Sequence, residues 1–284
     1  MFKKIFFVTA LLLASLLSAK PVVIASIAPV GYLAKAVGGD KIEVQSLAKG
    51  DVHSYEPKPN DMKAVAKARI FIAAGLEFEE AWIPRFKASA KNLVVVKSDA
   101  KIAKLKEERG EQAEHDEKHE AHADPHVWLN PMLAITMARN ISDALIDMDK
   151  ANKDFYLENF QKLMNDLLAF DESAKNELAG LKNRKFVVYH PAWGYFAAHY
   201  DLEQISIERS GKEPKIDEMA STLKMIKDEN IKVIFADPNR SQKSAQILAS
   251  QTGAKVELLD PLGYNLLENL KIAVGAIKDA NSPK

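Results

Sequence analysis

Four of the seven histidines fall within residues 115–126, in a stretch reading HDEKHEAHADPHVWLNP over 115–131. Imidazoles interleaved with carboxylates are the side chains that take divalent metals. The stretch has two characters. Up to His122 it is acidic and polar, whereas Asp124-Pro125-His126-Val127-Trp128-Leu129-Asn130-Pro131 is largely apolar and braced by two prolines, which restrict the backbone and aim His126 in one direction. HEAH at 119–122 is one residue too short for the HExxH of zinc proteases. Three other candidates, His53, His190 and Asp260, sit in turns that follow strand-like runs. Three imidazoles and a carboxylate form an N/O shell that suits tetrahedral zinc, while calcium and magnesium want oxygen. Histidine ligates only when deprotonated, so affinity is expected to fall as the pH drops through the imidazole range near ~6.5.

The elements that must position these residues alternate along the chain. Short apolar runs at 22–25, 42–47, 70–73 and 93–96 are separated by helical patterns at 29–37, 59–68 and 78–90. After helices at 131–148 and 152–181 the alternation resumes, with strands at 185–189, 204–207, 233–236 and 256–259 and helices at 216–229, 241–251 and 266–280. Such alternation predicts parallel βαβ units with strands buried on both faces. The fold class is α/β: two α/β lobes with parallel central sheets, joined by one long backbone helix. The 152–181 segment has no proline and no glycine before Gly180, and about 28 helical residues reach ~40 Å, enough to run from one lobe to the other. Expected divisions are 20–148 for the N-terminal lobe, 149–182 for the linking helix and 183–284 for the C-terminal lobe. Within the first lobe an acidic, histidine-rich loop at 101–123 lacks the apolar residues to form a core and is expected to gather extra zinc weakly. In open parallel sheets ligands bind beyond the carboxyl ends of strands, and all four candidate ligands lie at that rim.

Composition narrows the partners. At 284 residues with 47% hydrophobic and 27% charged, the chain is globular. Lys plus Arg equals Asp plus Glu at 39 each, which sets nucleic acid aside. Residues 1–19 have a basic start at Lys3 and Lys4, an apolar run and a small-residue end, as a signal peptide cut before Lys20 does. The chain has no cysteine, so thiolate metal sites and lipid attachment at a cleavage-site Cys are both excluded. A soluble monomer in the periplasm, without a lipid anchor, is expected.

At these segments the chain resembles a known family. Asp51-Val52-His53-Ser54-Tyr55-Glu56-Pro57-Lys58-Pro59-Asn60-Asp61 resembles the DPHxYEPxPxD segment, and Asp124-Pro125-His126-Val127-Trp128-Leu129 the DPHxWL segment, of the ZnuA-like zinc- and manganese-binding proteins of ABC importers. Tyr189-His190-Pro191-Ala192-Trp193-Gly194-Tyr195-Phe196 and Leu259-Asp260-Pro261-Leu262-Gly263 are similar to the third and fourth ligand segments. The resemblance implies a metal in the cleft between two lobes, held by His53, His126, His190 and Asp260, with Glu56 and Asp237 as rivals for the fourth position. Asp237 also reads as a helix cap ahead of Pro238. Val52 replaces the usual proline, which is expected to loosen the first loop. Manganese-binding relatives carry a carboxylate where this chain has His190, so the resemblance points to zinc. The implied function is a high-affinity periplasmic zinc carrier that hands Zn2+ to an inner-membrane ABC permease and is not an enzyme. The alternatives are a manganese or ferrous iron carrier of the same fold, or a secreted zinc hydrolase.

Overall fold

A computed structural model describes residues 20–106, 123–208 and 216–281; the expected signal peptide and residues 107–122 of the histidine-rich stretch lie outside them. In the first half β1 (Val22–Ala25), β2 (Glu43–Ser46), β3 (Ile70–Ala73) and β4 (Val94–Lys97) pair in parallel in the order β2-β1-β3-β4. In the second half β5 (Lys185–Val188), β6 (Glu203–Ser206), β7 (Val233–Ala236) and β8 (Lys255–Leu258) repeat that arrangement as β6-β5-β7-β8. The inner strands β3 and β7, IFIA and VIFA, are buried at every position. Strands β2, β4 and β8, at the sheet edges, carry Glu43, Lys97 and Glu257 toward solvent. Charged side chains on edge strands discourage pairing with another chain.

Each sheet reverses its direction of growth between its two central strands, β1 and β3 or β5 and β7. The loops at their carboxyl ends diverge to opposite faces there and leave a crevice, the usual ligand position in an open α/β sheet. The two crevices face a common cleft. Helices α1 (Ala28–Gly38), α2 (Pro59–Val65) and α3 (Glu77–Ser89) connect the first four strands; α6 (Gly194–His199), α7 (Ile216–Asp228) and α8 (Lys243–Thr252) connect the second four.

Between the sheets run α4 (Pro131–Met148) and α5 (Lys153–Ala179), and α9 (Leu266–Asn281) closes the chain. Helix α4 begins at Pro131, and the Asn130 side chain caps it by accepting from the backbone N–H groups of Met132 at 2.9 Å and Leu133 at 3.3 Å. The 27 residues of α5 contain neither glycine nor proline and span ~40 Å. Its buried face runs Tyr156, Phe160, Leu163, Leu167, Phe170, Ala174 and Leu178, a three-and-four spacing that forms one stripe. That stripe packs against α1, α4 and α9. The principal apolar cluster is therefore shared, with Val23 and Leu33 from the first half, Met137 from α4, Leu167 from α5, and Phe186, Phe196 and Leu270 from the second half. Separate smaller clusters cover the outer faces of the two sheets. Among the described residues no helix is long and apolar enough to cross a membrane.

Candidate metal centre

Each histidine is set at the cleft by a different device. His126 precedes a 3-10 turn, Val127–Leu129, whose three side chains are wholly buried. Its ring Nδ1 lies 2.7 Å from Asp124 Oδ1, which also accepts the His126 backbone N–H at 2.9 Å. The Nδ1 proton is thereby committed to the carboxylate, and Nε2 is left with its lone pair toward the cleft. Asp124 is held in turn from the other lobe. Tyr195 of α6 donates its hydroxyl to the Asp124 carbonyl at 2.8 Å and accepts from the Leu105 N–H at 2.8 Å, gripping both ends of the histidine-rich stretch. Lys106 and Ala123 form an antiparallel bridge just inside that grip. Gly194 makes room for the carboxylate, since a Cβ there would stand 3.1 Å from Asp124 Oδ2.

His53 lies in the loop after β2. Asp51 Oδ1 accepts its backbone N–H at 3.1 Å, and Val52 is buried in the shared cluster at 4% exposure. The valine that stands in place of the usual proline packs its side chain into that cluster. His190 lies two residues past the end of β5 and is 6% exposed; its Nδ1 lies 2.7 Å from Arg240 Nη1 and 3.3 Å from Glu208 Oε2.

The three rings meet. Centroid separations are 5.6 Å for His53 and His126, 5.1 Å for His53 and His190, and 5.3 Å for His126 and His190, and one nitrogen from each lies within 4.8 Å of the other two. The Nε2 atom of His53 is buried without a hydrogen-bond partner, an arrangement that costs free energy unless something binds there. Burial first, then the neighbouring His126 and Arg240 charges, lowers the pKa of His53 to about 4. Burial likewise pushes His190 well below the ordinary imidazole range, with His126 and Arg240 adding to it. Both rings are accordingly neutral at neutral pH, the form that ligates metal. Tetrahedral zinc with Zn–N of ~2.0–2.1 Å sets nitrogens about 3.3–3.4 Å apart, so nitrogens within 4.8 Å of one another need converge by at most about 1.5 Å.

Asp260 is not part of this set. Its Oδ1 accepts from Asn239 Nδ2 at 2.8 Å and from the Leu262 N–H at 2.8 Å, which turns it toward its own loop. Asp237 shares a pocket wall with the three histidines, but its Oδ1 accepts the Asn239 N–H at 2.7 Å and Nδ2 at 3.0 Å. It closes an Asx turn and caps no helix, because α8 begins only at Lys243. Burial raises the pKa of Asp237. Glu56 is exposed. Sequence reasoning missed Arg240 and Glu208, although both follow strands at the same rim, Glu208 after β6 and Arg240 after β7. It also missed the bond from the Trp128 indole N–H to the Pro261 carbonyl at 2.8 Å, which joins the second histidine segment to the Asp260 loop.

Two similar α/β lobes around an unbroken helix, with a nitrogen-donor pocket at the facing switch points, define the class: metal-binding substrate-binding proteins of the helix-linked kind. A family profile described as ZnuA, the periplasmic component A of zinc-uptake complexes, matches residues 23–280, and the chain belongs to that family. The high-affinity zinc uptake system protein ZnuA of Bacillus subtilis (strain 168) is 30% identical over 279 residues, covering 91% of this chain and 86% of that one. The zinc-binding lipoprotein AdcA of Streptococcus pneumoniae is 30% identical over 243 residues, and there the match spans 82% of this chain but only 48% of the relative. A crystal structure of a ZnuA deletion mutant with zinc bound superposes with a TM-score of 0.86 at 34% identity, over 93% of this chain and 99% of that one.

Proposed function

We propose that this protein captures Zn2+ in the periplasm and delivers it to an inner-membrane ABC permease, acting as a carrier and not as an enzyme. The observation that carries the reading is the convergence of His53, His126 and His190, whose ligand nitrogens lie within 4.8 Å of one another although the residues come from three distant segments. Burial keeps His53 and His190 unprotonated, so little free energy is spent removing protons when metal arrives. Relatives and structural neighbours named for zinc uptake and zinc binding support the choice of cargo. Asp260 is the proposed oxygen donor and has to present Oδ2, because Oδ1 is occupied by Asn239 and Leu262. A hydrolase would need a free general base beside the metal, and the two carboxylates that share the pocket wall are engaged in their own loops, Asp237 with Asn239 and Asp51 with the His53 N–H and the Ser54 hydroxyl. Export by a cleaved 1–19 leader, absence of a lipid anchor, a monomeric state and the divisions at 20–148, 149–182 and 183–284 belong to the same proposal.

Chelator competition on the mature protein and on His53→Ala, His126→Ala and His190→Ala tests the site. One zinc per chain is expected, with each variant weakened by at least about a hundredfold, as loss of one of three or four ligands from a closed shell implies. Parental affinity in any one variant removes that residue from the site.

A further inference from the structure

At the edge of the first sheet opposite the histidines, positive charge collects without partners. Parallel strands put their amino ends on one side, so the starts of β1, β3 and β4 lie together there. Three pieces of chain meet at Arg69: its backbone N–H donates to the Val22 carbonyl at 2.8 Å, its carbonyl accepts the Val94 N–H at 3.0 Å, and its Nη1 donates to the Asn92 carbonyl at 3.1 Å. Lys20, Lys67, Arg69 and Lys91 surround that junction, and Lys63 and Lys87 stand in the last turns of α2 and α3. All six are exposed. No Asp or Glu occurs from Lys63 to Gly75 or from Ala81 to Lys97, and among the described residues none of the six forms an ion pair. Asp40 and Glu43 lie beyond β1, where Lys35 and Lys41 offset them.

Cations in the last turn of a helix ordinarily complement its dipole. That accounts for Lys63 and Lys87 and leaves the other four. The second sheet, of the same topology, shows that the fold does not demand them. Its amino edge is also rich in Arg and Lys, but there Arg184 pairs with Asp201 at 3.3 Å and Lys185 with Glu229 at 3.0 Å, and Glu203 lies opposite Lys185 in the strand register. One edge is neutralised and the other is not.

The unneutralised edge is also where the chain enters the fold. Lys20 precedes β1 by two positions, with the apolar run at 5–17 just upstream, so a leader of that kind presents this edge to the bilayer. An anionic bilayer surface attracts each nearby Lys or Arg by about fivefold in partition, within a Debye length. We infer that this edge of the first lobe rests on anionic lipid headgroups, a weak and salt-sensitive association that keeps the carrier at the membrane. Because the histidines lie at the other ends of the same strands, the cleft then opens away from the bilayer, toward arriving metal. Delivery includes leaving the lipid surface, which screened contacts of this kind permit. The inference rests on the export proposed above and not on which metal is carried.

Flotation of purified protein, residues 20–284, with vesicles of equal parts phosphatidylglycerol and phosphatidylethanolamine, or of phosphatidylcholine alone, tests it. Binding is expected to the first and not to the second, and should fall about tenfold as salt rises from ~0.05 to ~0.15 M. Lys63→Glu, Lys67→Glu and Lys91→Glu combined should lower the partition by more than about a hundredfold, three cations at about fivefold each. Lys182→Glu, Lys232→Glu and Lys255→Glu combined, exposed on the second lobe's edge, should stay within about twofold of the parent. Thermal melting registers folding of both, and Lys67→Gln alone, weakened by about fivefold, covers the case that the first triple variant does not fold. A parent protein indifferent to phosphatidylglycerol at ~0.05 M salt, or equal losses in the two triple variants, overturns the inference. So does retention on immobilised polyglutamate without vesicle binding, which would make the partner an acidic protein. Vesicle binding is read on purified protein and export by cell fractionation, so either can fail without the other.

Discussion

Removing the Asp124 carboxylate should weaken zinc binding without removing a ligand. In Asp124→Ala, His126 loses the 2.7 Å partner of its Nδ1 and the 2.9 Å acceptor of its backbone N–H, at a position where Asp124 is 6% exposed. A hydrogen bond to a charged group contributes about 1.5–3 kcal/mol, which converts to a factor of roughly 10–150 in the dissociation constant. Loss of a carboxylate behind a metal-bound imidazole has a similar cost, about 10–100-fold. Asp124→Asn keeps an acceptor of the same shape and loses the charge; neutral bonds are about half as strong, so a loss of roughly fivefold is expected. The assay is competition with a zinc chelator of known affinity at pH 7, with thermal melting of the metal-free variants run alongside to register any loosening of the loop. The order parent, Asn, Ala should hold. If Asp124→Ala binds within twofold of the parent, the carboxylate does not orient His126 and the description of that ligand is wrong.

Other outcomes follow from the same geometry. His190→Glu should lower the ratio of the manganese to the zinc dissociation constant by about tenfold, since an oxygen donor replaces a nitrogen one; an unchanged ratio places selectivity elsewhere. The folded pKa of His53 is about 4 and the unfolded one ~6.5, so the unfolded chain binds the proton first and metal-free stability, complete above pH ~6.5, is lost as the pH falls toward 4 by up to roughly 3 kcal/mol from this residue. Urea titrations between those pH values should lose part of that slope in His53→Ala, and the proton competition expected near ~6.5 moves below the ordinary imidazole range for this ligand. Leu167→Ala, wholly buried at the centre of α5, should cost about 2–5 kcal/mol in denaturant unfolding and leave zinc affinity of the folded protein unchanged. Deleting residues 107–122 should spare the tight site, because Lys106 and Ala123 are already bridged at its rim; loss of tight binding would show that the segment shapes the centre.

Much of the architecture could be read from the chain because parallel strands buried on both faces are short apolar runs. IFIA at β3 and VIFA at β7 carry no alternation that suggests anything else. The long helix was legible for the opposite reason, a sustained three-and-four spacing with nothing to break it. The histidines were legible because His53 and His190 come after strands, and His126 just before a helix start at the same rim. What escaped was whatever depends on how side chains partition hydrogen bonds once the loops converge. Asp237 and Asp260 look alike in sequence, each an aspartate before proline after a strand, yet Asn239 donates to one oxygen of each and joins the two loops. Arg240 carries no motif, and its contacts exist only because Glu208 and Asp51 arrive beside it from opposite lobes.

The apolar cluster that runs from β1 through α4 and α5 into β5, α6 and α9 bears on how the molecule comes apart. Where two lobes have separate cores, one can melt while the other persists, and calorimetry shows two transitions. Here neither lobe can lose its packing on α5 without exposing the other's, so heating the metal-free chain should give a single cooperative transition, with calorimetric and van't Hoff enthalpies in agreement. The same indivisibility limits how cargo can leave. A clamshell that swings wide would tear that common interior, at a cost comparable to unfolding, so the ion has to be let go by rearrangements confined to the rim loops while the body of the protein stays as it is.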